Sequence, residues 1–529
     1  PRILSSAASD VYKRQDGAKH DDYNSFAMGE KQRPIIDIDF LKKNLKRPKK
    51  AVVTGGMPYA NGPVHLGHLA GAHIPPDIYA RYLRMLIGDD NVLFICGTDD
   101  HGSATELASI KENKNIEDFL REARQKHEAT FDQFNISFDN YTSTSASETI
   151  STHSKTVQNF IRALDKNSML QKIVSKQWYD LKYQRFLQDR FVTGECPKCS
   201  DPKAYSDSCD ACGAQYDPSE LLNAKSALSG EKPELRDTTH WHLDLWKVGD
   251  DLSQWILSKK KDWRTIVFKN ALNTVLPELE IENKDEEKYK SLKSSLPQHK
   301  SRYAPGKKIV LQFQQQCDLH ATQELFLQNE IDSVIDKSWA LRSISRDVKW
   351  GIPMPTDLDS EMSGKTFYVW PESLIAPISF SKVALEKQGQ SSDEYKKFWR
   401  DPEAKIYQFI GQDNIYFYTL MQGALWLGAQ NSNDDSSVDN QKWQMTEVIA
   451  NYHLMVDGEK MSKSKGNFYT GDELLKKGYH VDQIRHFVSL LSLSEKNYNF
   501  DFDTFQERNK FRAGPLNAAI EKPISACHS

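Results

Sequence analysis

Several features are scarce in this chain of 529 residues. Net charge is nearly absent: 69 Lys and Arg stand against 73 Asp and Glu, a formal −4. Nothing global therefore advertises nucleic acid, although a local basic face is enough to dock RNA. No apolar run approaches the ~20 residues of a membrane-spanning helix, and no signal peptide is visible. Cysteine is sparse, with seven residues, four of them in one compact group. That pattern suits a reducing cytoplasm better than a disulfide framework. An initiating Met is missing. Pro1–Gln15 fits no element of the chain beyond it and reads as a non-native leader (1–15), and the chain stops at Ser529 inside a helical stretch, as a C-terminally truncated product would. What is present is 39% hydrophobic content, enough at this length to bury cores for about three to four domains.

The first chemical signal lies where a strand gives way to a helix. Lys50-Ala51-Val52-Val53-Thr54 is a short apolar, β-branched run that reads as a buried strand. Gly55-Gly56 and Asn61-Gly62 break it, and Leu66 to Met85 carries helical periodicity. Between them runs Met57-Pro58-Tyr59-Ala60-Asn61-Gly62-Pro63-Val64-His65-Leu66-Gly67-His68. A strand-to-helix turn is the phosphate-binding position of a doubly wound α/β fold. Gly55 and Gly56 would let backbone approach a nucleotide. Gly67 would let adenine or ribose lie flat against the helix start. The bland alternative is a pair of partly buried histidines at a turn. Asn91 to Cys96 reads as a second buried strand, ending in Gly97-Thr98-Asp99-Asp100-His101-Gly102 on the ligand side of a parallel sheet. A turn rich in Asp and Gly is the bland reading there.

Cys196-Pro197-Lys198-Cys199 and Cys209-Asp210-Ala211-Cys212 form two CxxC knuckles. Four thiolates so spaced can surround Zn²⁺ tetrahedrally, leaving no coordination position open, so the metal would be structural. Glu282 to Lys293 is charge-dense, and Lys307 to Phe313 holds a strand-like run. Phe367-Tyr368-Val369-Trp370 reads as a buried strand ending in an aromatic. Much later, Lys460-Met461-Ser462-Lys463-Ser464 comes after an Asp457-Gly458 turn. Two lysines in a small polar loop suit a triphosphate.

Taken together, the HxGH around His65 and His68 and the later Lys-Met-Ser-Lys-Ser resemble the two signatures of class I aminoacyl-tRNA synthetases, with surrounding residues pointing to the methionine branch. The Gly-Thr-Asp-Asp-His-Gly run and the knuckles resemble that branch too, and Ser343 to Pro353 resembles a run shared by the methionine, valine, leucine and isoleucine group. The resemblance implies an α/β fold: a doubly wound parallel-sheet (Rossmann-like) catalytic domain with an inserted zinc-binding connective domain and the start of an α-helical anticodon-binding bundle. The corresponding divisions are 48–142 and 343–450 for the two catalytic halves, with 143–342 as the connective insertion. Within it, 278–337 is an extra insertion. The signature-loop region is 451–503 and the start of the bundle 504–529. Around Tyr479 to Arg485 the chain resembles the helix leading toward that bundle, whose first helix would span Phe505 to Ala519.

The resemblance also implies an activity: L-methionine activated with ATP and Mg²⁺, then transferred to tRNA(Met). His65, His68, Lys460 and Lys463 would be catalytic. Pro58, Tyr59, Asn61, Gly67, Gly411, Asp413, Val456 and Met461 would join them around ATP. Met57, Tyr59, Asp99, Trp370 and Tyr418 would hold methionine, with Asp99 on its amino group and His101 nearby. Cys196, Cys199, Cys209 and Cys212 would hold structural Zn²⁺. Departures stand beside the matches. Pro371 to Pro377 replaces a Phe-Asp-Ala-Pro-Ile-Gly-Tyr-like run, Gln412 replaces a lysine, and Tyr418 replaces a histidine. The rivals are a leucine, isoleucine or valine synthetase, a silent RNA-binding paralogue, and a nucleotidyltransferase sharing HxGH.

Overall fold

The computed structural model describes residues 47–507 except 61, 207, 210, 213, 215, 431–441, 462–467 and 492, with only the backbone at Asp189 and Lys460. The leader 1–15, Asn61, Lys463 and the bundle beyond residue 507 therefore lie outside the described residues.

Five parallel strands form the central sheet: β1 (Lys50–Gly55), β2 (Val92–Thr98), β3 (Asn140–Ser143), β4 (Ala404–Gly411) and β5 (Glu447–Asn451). Their order is 5-4-1-2-3, every pair parallel. β1 and β2 are almost wholly buried, which is why both read as near-continuous apolar runs. The order reverses between β1 and β4, so the crevice at their carboxyl ends is the place for a ligand.

The helical run expected from Leu66 continues to Ile87, through Leu66–His68, a π-turn at Leu69–His73 and α1 (Ile74–Ile87). Pro75 and Pro76 open α1. Neither has an N–H to return to the preceding turn, which widens just before them. A second π-turn, Phe417–Met421, precedes α4 (Gln422–Gln430) after β4. Thus both strands at the switch point lead into a widened turn.

α3 (Val369–Lys387) covers one side of the sheet over β2 and β3, and α2 (Ile150–Lys166) packs against α3 and α4. The expected strand Phe367–Trp370 is corrected here. Only Thr366–Phe367 pairs as a strand, with Ser345–Arg346, and α3 begins at Val369. A short apolar run cannot separate a buried strand from a buried helix. The helix is buried on nearly all sides, and Pro371 in its first turn is where proline is tolerated.

Between the halves of the sheet, besides that two-stranded pairing, lie three smaller sheets among the described residues. One orders strands Leu341–Ser343, Glu234–Asp244, Leu170–Asp180 and Arg185–Leu187, and a second carries the cysteines near Val192–Glu195. Residues 278–336 build the third, an antiparallel sheet with its own core around Leu279, Leu311, Phe313 and Phe326. The Asp457-Gly458 turn is a two-residue hairpin with both φ positive, 52° and 75°, the geometry Asp-Gly favours. After it, helix Val481–Ser489 is tied to α1 by Arg485, which donates to the fully buried Asp77.

Candidate active site

The HxGH turn is locked by its own rings. His65 N–H donates to His68 Nδ1 at 3.2 Å, His68 N–H donates to His65 Nδ1 at 3.3 Å, and the rings stack at 3.6 Å between centroids. With each Nδ1 accepting, the neutral rings carry their proton on Nε2. A Cβ on Gly67 would stand 3.0 Å from the His65 ring and 3.4 Å from Met461 Sδ. Side chains of the protein thus occupy the space on the Cβ side of Gly67. Gly55 is crowded likewise. Its missing Cβ admits the Ala72 carbonyl, 2.4 Å from where that atom would be, so the glycine accommodates a helical turn.

Met461 brings the two distant signatures together. It is buried, in the same core as Leu66 and Leu69. On the far side of residues 462–467 the chain returns to the same turn: Leu66 N–H donates to the Tyr469 carbonyl at 2.7 Å, His65 bridges to Thr470, and the Phe468 ring lies 5.8 Å from that of His65. Lys460 ends the hairpin strand that pairs with Met455. Both ends of the lysine loop thus abut the turn His65 to Gly67, although Lys463 itself lies outside the described residues. Val456 is on the same hairpin, buried. Across the crevice, Gly411 closes β4, with Asp413 Oδ1 and His453 Nε2 4.0 Å apart just beyond it.

The residues expected around the amino acid come from four places. Asp99 N–H donates to the Pro58 carbonyl at 3.1 Å, and Tyr59 bridges to Asp99 as a parallel pair, so the loops after β1 and β2 are joined. Met57 packs partly buried on the main core. Trp370, half-buried in the first turn of α3, meets Phe417 at 4.2 Å between ring centroids. Tyr418 is buried in the second π-turn, and burial with Cys96 and Asp99 nearby pushes its phenol up.

Asp99 is 4% exposed, and its Oδ1 has no hydrogen-bond partner among the described residues. Burial, then the like charges of Glu372 and Asp100, hold its carboxyl well above the usual range. Such a group is stabilised when a cation arrives.

Glu372 and His153 were not singled out from the sequence. Glu372 is fully buried on α3, and its Oε1 meets His101 Nδ1 at 2.5 Å and His153 Nε2 at 3.0 Å. His153 Nδ1 in turn meets Ser379 Oγ at 3.0 Å. Burial opposes the charge, yet the two histidines hold the Glu372 carboxyl down at about 2. The second oxygen, Oε2, has no partner among the described residues. The glutamate was visible only as part of the departing Pro371–Pro377 run, and nothing local links it to His153, 219 positions away.

The four cysteine sulfurs lie within 4.8 Å of one another, with Cys196–Cys212 at 3.8 Å and Cys199–Cys209 at 3.7 Å. Sulfurs on a tetrahedron with Zn–S of ~2.3 Å stand about 3.8 Å apart, so the donor set fits zinc.

A family model described as tRNA synthetases class I (M) matches residues 51–287 and 307–512. The part left outside the match between these blocks, 288–306, is narrower than the 278–337 expected as an extra insertion. The methionine–tRNA ligase of Chlorobium limicola is 33% identical over 481 residues, 91% of this chain and 58% of the relative. The Mycobacterium tuberculosis methionyl-tRNA synthetase, solved with methionyl-adenylate bound, matches with a TM-score of 0.53 at 17% identity, over 87% of this chain and 68% of that one. LeuRS of Agrobacterium radiobacter K84, solved with tRNA and LeuAMS, also gives 0.53, at 14% identity over 89% and 72%. Structural likeness therefore supports the fold and does not choose an amino acid. The chain spans a little under three-fifths of the length of the curated relatives it matches.

Proposed function

We propose, for a chain that belongs to the class I (M) family of tRNA synthetases, that it activates L-methionine with ATP and passes it to tRNA(Met). The observation that carries this reading is the convergence of the two signatures on one turn, through Met461, Tyr469 and Thr470.

In the first step a methionine carboxylate oxygen attacks the α-phosphorus of Mg²⁺-bound ATP. The bond from that phosphorus to the bridging oxygen breaks, and pyrophosphate leaves. In the second, a hydroxyl of the 3′-terminal adenosine of tRNA attacks the mixed anhydride, and AMP leaves. Displacement at phosphorus asks for positioning and charge stabilisation more than covalent chemistry. His65 and His68, neutral with Nε2–H as donors, would contact phosphate oxygens. Lys460 and Lys463 would neutralise charge on the leaving pyrophosphate, and Gly411, Asp413, Pro58, Tyr59 and Asn61 would line the nucleotide. Asp99 would take the ammonium group, whose charge answers the unpartnered Oδ1 and the raised carboxyl. Trp370 and Tyr418, with Met57, would enclose the thioether, a contact aromatic faces favour. Cys196, Cys199, Cys209 and Cys212 would hold structural zinc.

The domain divisions implied by the resemblance are part of this proposal, as is a cytoplasmic setting. No helix among the described residues is long and apolar enough to cross a membrane. Charging of tRNA(Met) transcript with labelled methionine tests the whole reading. Attachment of methionine, lost when the 3′-terminal adenosine is removed, is the expected result. Charging of a leucine, isoleucine or valine tRNA instead would replace methionine with that rival, and RNA binding without charging would favour the silent paralogue.

A further inference from the structure

β2 runs into two consecutive aspartates. Successive residues of an extended segment face opposite ways, and these two serve different spaces. Asp100 lines a separate cavity of about 580 Å³ beyond the ends of β2 and β3, walled by helix Ile116–Gln133, the start of α2 and the loop at Lys349–Pro353. Of the residues placed near methionine only His101 lines it, and none assigned to ATP or zinc does.

Its chemistry is mixed and specific. Asp100 is 1% exposed; its Oδ2 accepts from Ser145 Oγ at 2.5 Å, while Oδ1 has no partner among the described residues. A buried carboxylate oxygen in that state calls for a donor. Three cations, Arg121, Arg124 and Lys349, line the same space. Arg124 offers five N–H donors; its hydrogen bond is to Ser143 Oγ at 3.3 Å, and Glu148 and Glu128 stand beyond hydrogen-bond reach at 3.7 and 3.9 Å. The start of α2 adds the positive end of a helix of 17 residues whose N-cap, Thr149, makes no side-chain cap. Trp350 supplies a flat aromatic wall. Its Nε1–H donates to the Asp100 carbonyl at 2.9 Å, and its ring meets His101 at 5.4 Å, so the indole is fixed in place.

We propose that this cavity binds a nucleotide, with a ribose hydroxyl donating to Asp100, phosphate on Arg124 and Lys349, and the base against Trp350. A free amino acid would satisfy the charges but leave most of the volume to water, whereas cavities of this size suit ligands as large as a nucleotide. The source is either a free mononucleotide or the 3′ end of an RNA. The proposal stands apart from the adenylation reading, since Asp100, Arg124, Lys349 and Trp350 have no role in it.

The test is equilibrium dialysis of labelled CMP and of the trinucleotide CCA against the full chain, with the crevice between β1 and β4 saturated by a non-hydrolysable ATP analogue. Binding weakened about tenfold or more by Arg124→Ala, the scale of a lost charge-assisted contact, is expected. The parent should prefer CMP to its 2′,3′-dideoxy form, and Asp100→Asn should erase that preference. Ser145→Ala, which leaves the carboxylate in place, should weaken it only in part and covers the case in which Asp100→Asn fails to fold. CCA much tighter than CMP identifies an RNA end, and equal affinity identifies a free nucleotide. No binding of either, or binding indifferent to Arg124→Ala, overturns the proposal. Amino-acid-dependent pyrophosphate exchange, run in parallel, should stay within about twofold in Arg124→Ala. A parent without exchange would count against adenylation and leave the cavity's result to stand by itself.

Discussion

The two ends of the candidate site are built in contrasting ways. At the HxGH end the chemistry is contiguous: two histidines three positions apart bond each other's backbone, and residues flanking the lysine loop bond the same turn. At the amino-acid end it is dispersed. Asp99, Trp370, Glu372 and Tyr418 arrive from the loop after β2, from α3 and from the π-turn after β4. The first end has both of its Nδ1 atoms matched by backbone before any substrate arrives. The second holds two buried carboxylate oxygens, on Asp99 and Glu372, without partners among the described residues. The contrast suggests that the first end is preorganised for a phosphate chain, while the second is completed by a cation that the substrate brings.

Several changes would break or sharpen this comparison. The largest effect should come from His68→Ala, with kcat for pyrophosphate exchange falling about 10³-fold and the methionine KM little changed, as expected when a preorganised donor to developing charge is lost. A rise in methionine KM instead would dissolve the distinction between the ends. Asp99→Asn should act in the opposite sense, raising the methionine KM about 10²-fold while the ATP KM stays within twofold, in keeping with an unpaired buried ammonium.

The same carboxylate gives a pH signature. Because burial and its neighbours raise the Asp99 carboxyl, it holds its proton to a higher pH than an ordinary aspartate. The ammonium of methionine needs the ionised form, so methionine KM should fall as pH rises until Asp99 is ionised, then level off. The ATP KM should not change in step, and Asp99→Asn should flatten the methionine profile.

Glu372→Gln removes a charge shared by two histidines in the core and should cost about 3 kcal/mol, read as a lower thermal midpoint. The sign is set by the depressed carboxyl. Its contribution is fully present above the ordinary 4.5 and is lost as pH falls toward about 2. The gap between parent and variant should therefore narrow in acid, and an equal gap at every pH would mean that packing alone is lost. The smallest effect belongs to Tyr418→His, which should change methionine kcat/KM by up to about tenfold, the scale of one contact in an apolar pocket.

This contrast also governs what could be read from the sequence. The strand at Lys50–Gly55, the helical run from Leu66, the second strand, the Asp-Gly hairpin and the cysteine cluster were legible because each is encoded within a few neighbouring residues. Trp370 was found, but on the wrong element, since Phe-Tyr-Val-Trp is as apolar in a buried helix as in a strand. Gly67 and Gly55 were marked as special from their residue type alone, and the neighbours on their Cβ sides, His65, Met461 and Ala72, emerge only in the fold. Glu372 with His101 and His153 was invisible: three residues spread over 271 positions share one oxygen only after folding.

Amino-acid-dependent ATP–pyrophosphate exchange, run on the purified chain with each of the twenty amino acids and no tRNA, tests the central claim most directly. The account predicts exchange with methionine alone, cut about 10³-fold by His68→Ala and recovered at high methionine in Asp99→Asn. Exchange with leucine, isoleucine or valine, or none from folded, zinc-loaded protein, would contradict it.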